Sequence, residues 1–170
     1  MLSELLHRLA TEARAENAAN GWAEDFTFEQ VPTFLALIHL EITEAYEDID
    51  DPTLLRRGLG GVIVRCMDLS ELLHPGSLRG FAPWLSDEMP LATLSRQLLI
   101  LHQHTSHALE GFTTRPTVEE RTDAVLAALR AVIGHAWGLL DLLGGSPEQV
   151  IQEIPEANRA RGHRHGGRHI

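Results

Sequence analysis

Five long stretches of helical hydrophobic spacing, each stopped by a Gly, Pro, Asn or Asp cluster, constrain this chain to an all-helical fold. From Leu2 to Ala19, the residues Leu5, Leu6, Leu9 and Ala13 fall on one helical face, and Asn20-Gly21 ends the run. Trp22 to Gln30 reads as a connection. Val31 to Ile49 is a second, strongly apolar helix carrying Phe34, Leu35, Leu37, Ile38, Leu40, Ile42 and Ala45. Asp50-Asp51-Pro52 stops it, and Asp51 followed by Pro52 starts a third helix that runs to about Leu73. His74-Pro75-Gly76 breaks that helix, and Ser77 to Pro90 is an irregular connector. A fourth helix is expected over about Leu91 to Gly111, and a fifth over about Thr117 to Leu143, closed by Gly144-Gly145. Ser146-Pro147-Glu148 then opens a short further helix through a Ser cap and a Pro at its first position. No stretch carries the two-residue alternation of a strand. The expectation is an all-α helical bundle of about five main helices in a single domain, residues 1–154, followed by a basic, Gly- and His-rich tail, 155–170.

Composition narrows the function. Apolar residues make up 44% and charged residues 22%, ordinary for a chain that buries a core. The formal net charge of −10 argues against a duplex nucleic-acid partner. A nucleotide is still compatible with it, because Mg²⁺ can screen phosphate from carboxylates. Cys66 is the only cysteine, so no intrachain disulfide or thiolate cluster forms. Met1 to Ala10 lacks the pattern of a secretory leader, and no apolar stretch reaches the roughly 18 residues of a membrane span. A cytoplasmic location without a membrane partner is expected.

The second and fourth helices resemble one another. Leu37-Ile38-His39-Leu40-Glu41-Ile42-Thr43-Glu44-Ala45-Tyr46-Glu47 aligns without a gap to Ile100-Leu101-His102-Gln103-His104-Thr105-Ser106-His107-Ala108-Leu109-Glu110. The leading apolar pair, the His, the Ala and the final Glu coincide. Each helix leads to a Pro-Thr pair, Pro52-Thr53 or Pro116-Thr117, that opens the next. This predicts an internal two-fold repeat, residues 31–73 and 91–143, packed as the subunits of a dimer would be. Further self-association of such a pseudo-dimer is left open.

Glu41 and Glu44 lie three apart and project from one helix face beside apolar residues. Glu120 and Asp123 repeat the spacing on the fifth helix. Four carboxylates on two packed helices would make a hard oxygen cage suited to Mg²⁺ or Mn²⁺. Each pair also has a plainer reading: Glu41 and Glu44 as a solvated flank, and Glu120 as the partner of Thr117 in a capping box. His104 and His107 share a face, but no third metal ligand is evident. Arg65 and Asp68, also three apart, read as an ion pair on the third helix, with an outer-shell carboxylate of a metal site as the other reading of Asp68.

The segment His39-Leu40-Glu41-Ile42-Thr43-Glu44-Ala45 resembles the ExxE helix of the MazG-like nucleoside triphosphate pyrophosphohydrolases. Asn17-Ala18-Ala19-Asn20-Gly21-Trp22 is similar to the helix end that precedes it in that family. Asn158, Arg161 and Arg164, in a tail that continues to His165-Gly166-Gly167, resemble the family's Asn, Arg and His-Gly tail. The family holds Mg²⁺ between ExxE on one helix and ExxD on the next. Here Gly58 and Gly61 occupy the acidic positions of the first hairpin, and His104 and His107 replace ExxE in the second, where Glu119-Glu120-Arg121-Thr122-Asp123 resembles an intact ExxD segment. Each acidic pair thus survives once, in different repeats.

The resemblance implies a metal-dependent hydrolase that converts a nucleoside triphosphate to the monophosphate and pyrophosphate. Its site would be completed between the repeats by Glu41, Glu44, Glu120 and Asp123, with Glu41 and Glu44 in the catalytic role and Asn158, Arg161 and Arg164 closing on phosphate. The alternative is a degenerate, non-catalytic relative that binds a nucleotide or a protein partner.

Overall fold

Capping decides where the helices begin. The computed structural model describes residues 2–85, 87, 89 and 91–160, with side chains as far as Ile154. Six α-helices follow in order: α1 (Leu2–Ala19), α2 (Val31–Glu47), α3 (Pro52–Leu73), α4 (Leu94–Thr114), α5 (Val118–Leu142) and α6 (Pro147–Ala160). A single 3₁₀ turn, Phe28–Gln30, leads into α2. Asp51 caps α3 by accepting from the amides of Thr53 and Leu54, with Pro52 in the first turn where no amide is needed. Thr93 caps α4 by accepting from the Arg96 amide, which sets the start three residues later than the hydrophobic pattern suggests. Gly21 (φ 72°) and Gly144 (φ 72°) take the left-handed conformation that ends α1 and α5. α2 stops at Glu47, two residues short of Ile49. α6 is longer than expected and carries helix through the first residues of the segment read as a tail.

α2 packs on α3 and α4, and α5 packs on α3 and α4. The four therefore form a ring in the order α2, α3, α5, α4, with α2 and α5 on one diagonal. α1 and α6 cover α3 from outside. Ile38, Ile42 and Ala45 of α2 meet Leu59, Ile63 and Met67 of α3, Leu101 and Ala108 of α4, and Val125, Leu129, Val132 and Ala136 of α5 in one buried cluster. Burying such side chains contributes roughly 1.5–3 kcal/mol each. α5 is long and apolar enough to cross a membrane by length and composition, but most of its apolar stretch is buried inside the bundle.

Small residues set how closely the helices approach. A Cβ on Gly58 would lie 2.9 Å from the Cβ of Ala45, so α2 and α3 cross there almost backbone to backbone. A Cβ on Gly111 would lie 2.6 Å from the Cβ of Ala124, which marks the same kind of crossing between α4 and α5. Gly60 serves α6, with Val150 Cγ1 2.7 Å from where its Cβ would stand. Glycines inside a helix cost about 1 kcal/mol each, and the close packing offsets that cost.

α2 meets α4, and α3 meets α5. At the first seam His39 and His102, sixty-three residues apart, bring their Nδ1 atoms to 2.7 Å. Their ring centroids are 5.0 Å apart and their planes differ by 15°. Rings whose nitrogens are that close at that centroid separation point edge to edge, so this is an N–H···N bond and not a face-to-face stack. Thr43 and Ser106, likewise sixty-three residues apart, each donate to the carbonyl four residues back, of His39 and His102. The Pro-Thr pairs do not correspond in this way: Pro52 is the first residue of α3, whereas Pro116 precedes the cap Thr117 of α5.

Candidate functional site

Asn20 and Gly21 turn the chain at the end of α1 so that the Trp22 amide donates to the Asn17 carbonyl at 2.9 Å. This tucks the buried indole of Trp22 against α3 and turns its carbonyl back to α1, where Arg14 Nη2 donates to it at 2.7 Å. Arg14 Nη1 donates to Asp68 Oδ1 at 2.7 Å. One turn earlier on α3, the Arg65 guanidinium lies 4.7 Å from the centre of the Trp22 ring, a cation–π contact. Arg65 Nε donates to Glu41 Oε1 at 3.1 Å. Two arginines and two carboxylates therefore alternate from α1 through α3 to α2, wrapped around one indole.

Arg65 and Asp68 are consequently not each other's ion pair, as their spacing suggests. Arg65 turns to α2 and Asp68 to α1. Asp68 is 1% exposed, and burial pushes its carboxyl up to about 6, against the opposing pull of Arg14, Asn17 and Arg65. The outer end of the chain of charges is open to water: the side chains of Arg65 and Glu41 are 16% and 23% exposed. Among the described residues only the Nε of Arg65 is bonded, which leaves both Nη groups of its fork free.

The four carboxylates singled out in the sequence are not brought together. Glu41 Oε1 is taken by Arg65, and Oε2 lies against Gly61, where a Cβ would come to 2.6 Å. Gly61 thus faces Glu41 across the α2–α3 hairpin but offers no ligand. Glu44 is exposed one turn further along α2. Glu120 Oε2 accepts from the Thr117 amide and hydroxyl, both at 3.2 Å, while the Glu120 amide donates to Thr117 Oγ1 at 3.1 Å. This is the capping box that the Thr-x-x-Glu spacing also allowed. Asp123 is exposed on the next turn. A shared cage requires α2 to face α5, and α2 instead faces α3 and α4.

Among the described residues no three His, Cys, Asp or Glu side chains converge as a metal centre. The hard-oxygen set that Mg²⁺ or Mn²⁺ would need does not fit this arrangement. Asn158, in α6, has no described side chain, and Arg161 and Arg164 lie outside the described residues.

The capping role makes a clean prediction. Thr117→Ala lowers stability by about 1 kcal/mol, and Glu120→Ala by less, both read as urea midpoint shifts without a change in slope. Sequence reasoning passed over Arg14 and did not join Asn17 and Trp22 to Arg65 and Asp68. The available signal was an arginine one turn before the Asn17–Trp22 helix end. No family model matches the chain, and no curated protein or solved structure is significantly similar to it.

Proposed function

We infer that this chain is a MazG-like helical protein that binds a nucleoside phosphate without hydrolysing it. The observation that carries the reading is Arg65: a guanidinium whose two Nη groups bond none of the described residues, held from behind by Glu41 and resting on Trp22. A planar fork of this kind suits a phosphate, and the carboxylate behind it fixes its orientation. The chain supplies its own cation at Glu41, in the helix that resembles ExxE, where that family would use a divalent ion. Opposite it stands Gly61 where the family has an acid. With a net charge of −10 working against any anion, affinity is modest and rests on this local arrangement.

Metal-dependent pyrophosphohydrolysis is the competing reading. It needs Glu120 and Asp123 to leave the start of α5 and join Glu41 and Glu44, and no observation favours that movement. We also read the two hairpins as fused repeats, supported by the meeting of His39 with His102 and the matched Thr43 and Ser106 bonds. The cytoplasm, where nucleoside triphosphates are abundant, is the setting this reading assigns.

Equilibrium titration with nucleoside di- and triphosphates tests it, with and without a chelator. The expected result is binding that survives the chelator and weakens about tenfold or more in Arg65→Leu, from loss of charge-assisted bonds worth roughly 1.5–3 kcal/mol. Arg65→Lys recovers part of it, since charge returns without the fork. Absence of binding at millimolar nucleotide removes this reading and leaves a protein partner.

A further inference from the structure

Away from Arg65, the bundle contains a second group of polar side chains with no charge partner. His135 sits in the apolar run of α5 and is 0% exposed, and neither ring nitrogen has a hydrogen-bond partner. His104 of α4 lies beside it, ring centroids 5.8 Å apart, and its own Nε2 is buried and unpartnered. Trp84, from the connector between α3 and α4, meets both imidazoles edge to face, at 5.5 Å from His135 and 6.0 Å from His104. His107 stands behind His104 at 6.5 Å.

The indole is seated on glycine. A Cβ on Gly134 would approach the Trp84 ring to 3.5 Å, and one turn on, a Cβ on Gly138 would come within 2.6 Å of Met89 Sδ. Nearer α3 the connector is tied down where Arg130 Nη2 donates to the Ser77 carbonyl at 2.6 Å and the Gly76 amide donates to the Glu71 carboxylate. Trp84 itself is held by ring contacts and shape.

Among the described residues no carboxylate bonds either imidazole, and Asp87 of the connector is exposed. From α4 the titratable neighbours are His104 and His107, both able only to add positive charge. From the connector the contacts are Trp84 and Met89, both neutral, and Arg130 of α5 is itself a cation. The buried acids of α3 are engaged elsewhere, Asp68 with Arg14 of α1 and Glu71 with the Gly76 amide, and Cys66 is buried with its thiol pushed up by burial. An imidazolium at His135 would have neither solvent nor, among the described residues, a counter-ion, whereas the neutral rings pack well against indole.

We propose that His135 and His104 form an acid-sensitive seat for Trp84: proton uptake by the pair expels the indole from the Gly134 surface of α5 and opens His135 to water. The direction agrees with the titration tendencies of the rings. Burial, then the charge of His104, pushes His135 down to about 4, and burial, then His107, lowers His104. With an open-state value near 6.5, the closed seat resists protonation down to about 4, so the transition falls between these limits. Nothing in this inference depends on nucleotide binding.

Fluorine NMR of the full chain labelled with 5-fluorotryptophan tests it, with the Trp84 signal assigned through Trp84→Phe. The expected result is a reversible move of the Trp84 resonance to a solvent-exposed position between pH 6.5 and 4, while the Trp137 resonance holds. In His135→Phe, which keeps the volume without the proton site, the transition moves down by at least one pH unit or disappears. His104→Gln, at a half-exposed position that tolerates the change, moves it in the same direction and guards against misfolding of the first variant. A Trp84 signal that stays put to pH 4, or one that moves only together with that of Trp137 as the fold melts, overturns the proposal. So does a transition unchanged in both histidine variants.

Discussion

Replacing Arg14 with methionine destabilises the fold by about 3–5 kcal/mol at pH 7, the cost of stranding a buried charge. Among the described residues Arg14 is the one ionic partner of Asp68, at 2.7 Å, and it also donates to the Trp22 carbonyl. Methionine fills the space of the aliphatic stem but satisfies neither oxygen. The loss depends on pH in a predictable sense. Asp68 has a folded-state value raised to about 6 from 3.8, so the folded state binds its proton more readily than the unfolded chain does. Stability from this group is fully present below the unfolded value and is lost as pH rises through the folded one. Removing Arg14 removes an interaction that lowers the value, so the variant feels the penalty of the ionised form more strongly. Urea unfolding of Arg14→Met and the parent at pH 7 and pH 4.5 therefore gives a larger difference at pH 7. A difference independent of pH means the arginine acts through the Trp22 carbonyl and not through Asp68. His135, whose depressed value costs stability as pH falls, is present in both proteins and cancels in the comparison.

Gly111→Leu has an effect of similar size for a purely steric reason. The Cβ alone would sit 2.6 Å from the Cβ of Ala124, a contact between two rigid atoms that no rotamer relieves. α4 and α5 would have to separate along the largest helix–helix interface in the bundle. Overpacking costs roughly 1–3 kcal/mol where a core can shift, and more where two helix backbones must part. The expected outcome is a loss of 3 kcal/mol or more, with Gly111→Ala intermediate. Paired with Ala124→Gly, Gly111→Ala regains most of the loss, because the same small pair then meets with its members exchanged. A double-mutant cycle on these two positions measures that coupling.

The helices were legible because their signals are local. Asn20-Gly21 closing α1 at Ala19, Asp51-Pro52 opening α3 and Thr117-x-x-Glu120 capping α5 each act within four residues. Where a boundary moved, another local signal had outcompeted the hydrophobic pattern, as Thr93 did at α4. The site was less legible, because it depends on which helix faces which. A three-residue spacing says that Glu41 and Glu44, or Glu120 and Asp123, share a helix face. It does not say that α2 lies diagonal to α5. Arg65 and Asp68 show the same limit: their spacing permits a mutual pair, and the packing of α1 and α2 on either side of α3 draws them apart. His135 was missed because a lone histidine within Val132-Ile133-Gly134-His135-Ala136 reads as part of the core until Trp84 and His104 are found beside it.

The function we propose leaves the acidic pairs of this chain in separate places, Glu41 with Arg65 and Glu120 with Thr117, and assigns them no metal-dependent hydrolysis. Product analysis after incubation with nucleoside and deoxynucleoside triphosphates, with Mg²⁺ or Mn²⁺, tests it most directly when the Glu41→Ala and Glu120→Ala variants are run beside the parent. The expected result is no metal-dependent release of monophosphate and pyrophosphate by any of the three. Release by the parent that is lost in both variants would contradict it, since only a single site joining α2 to the start of α5 produces that pattern.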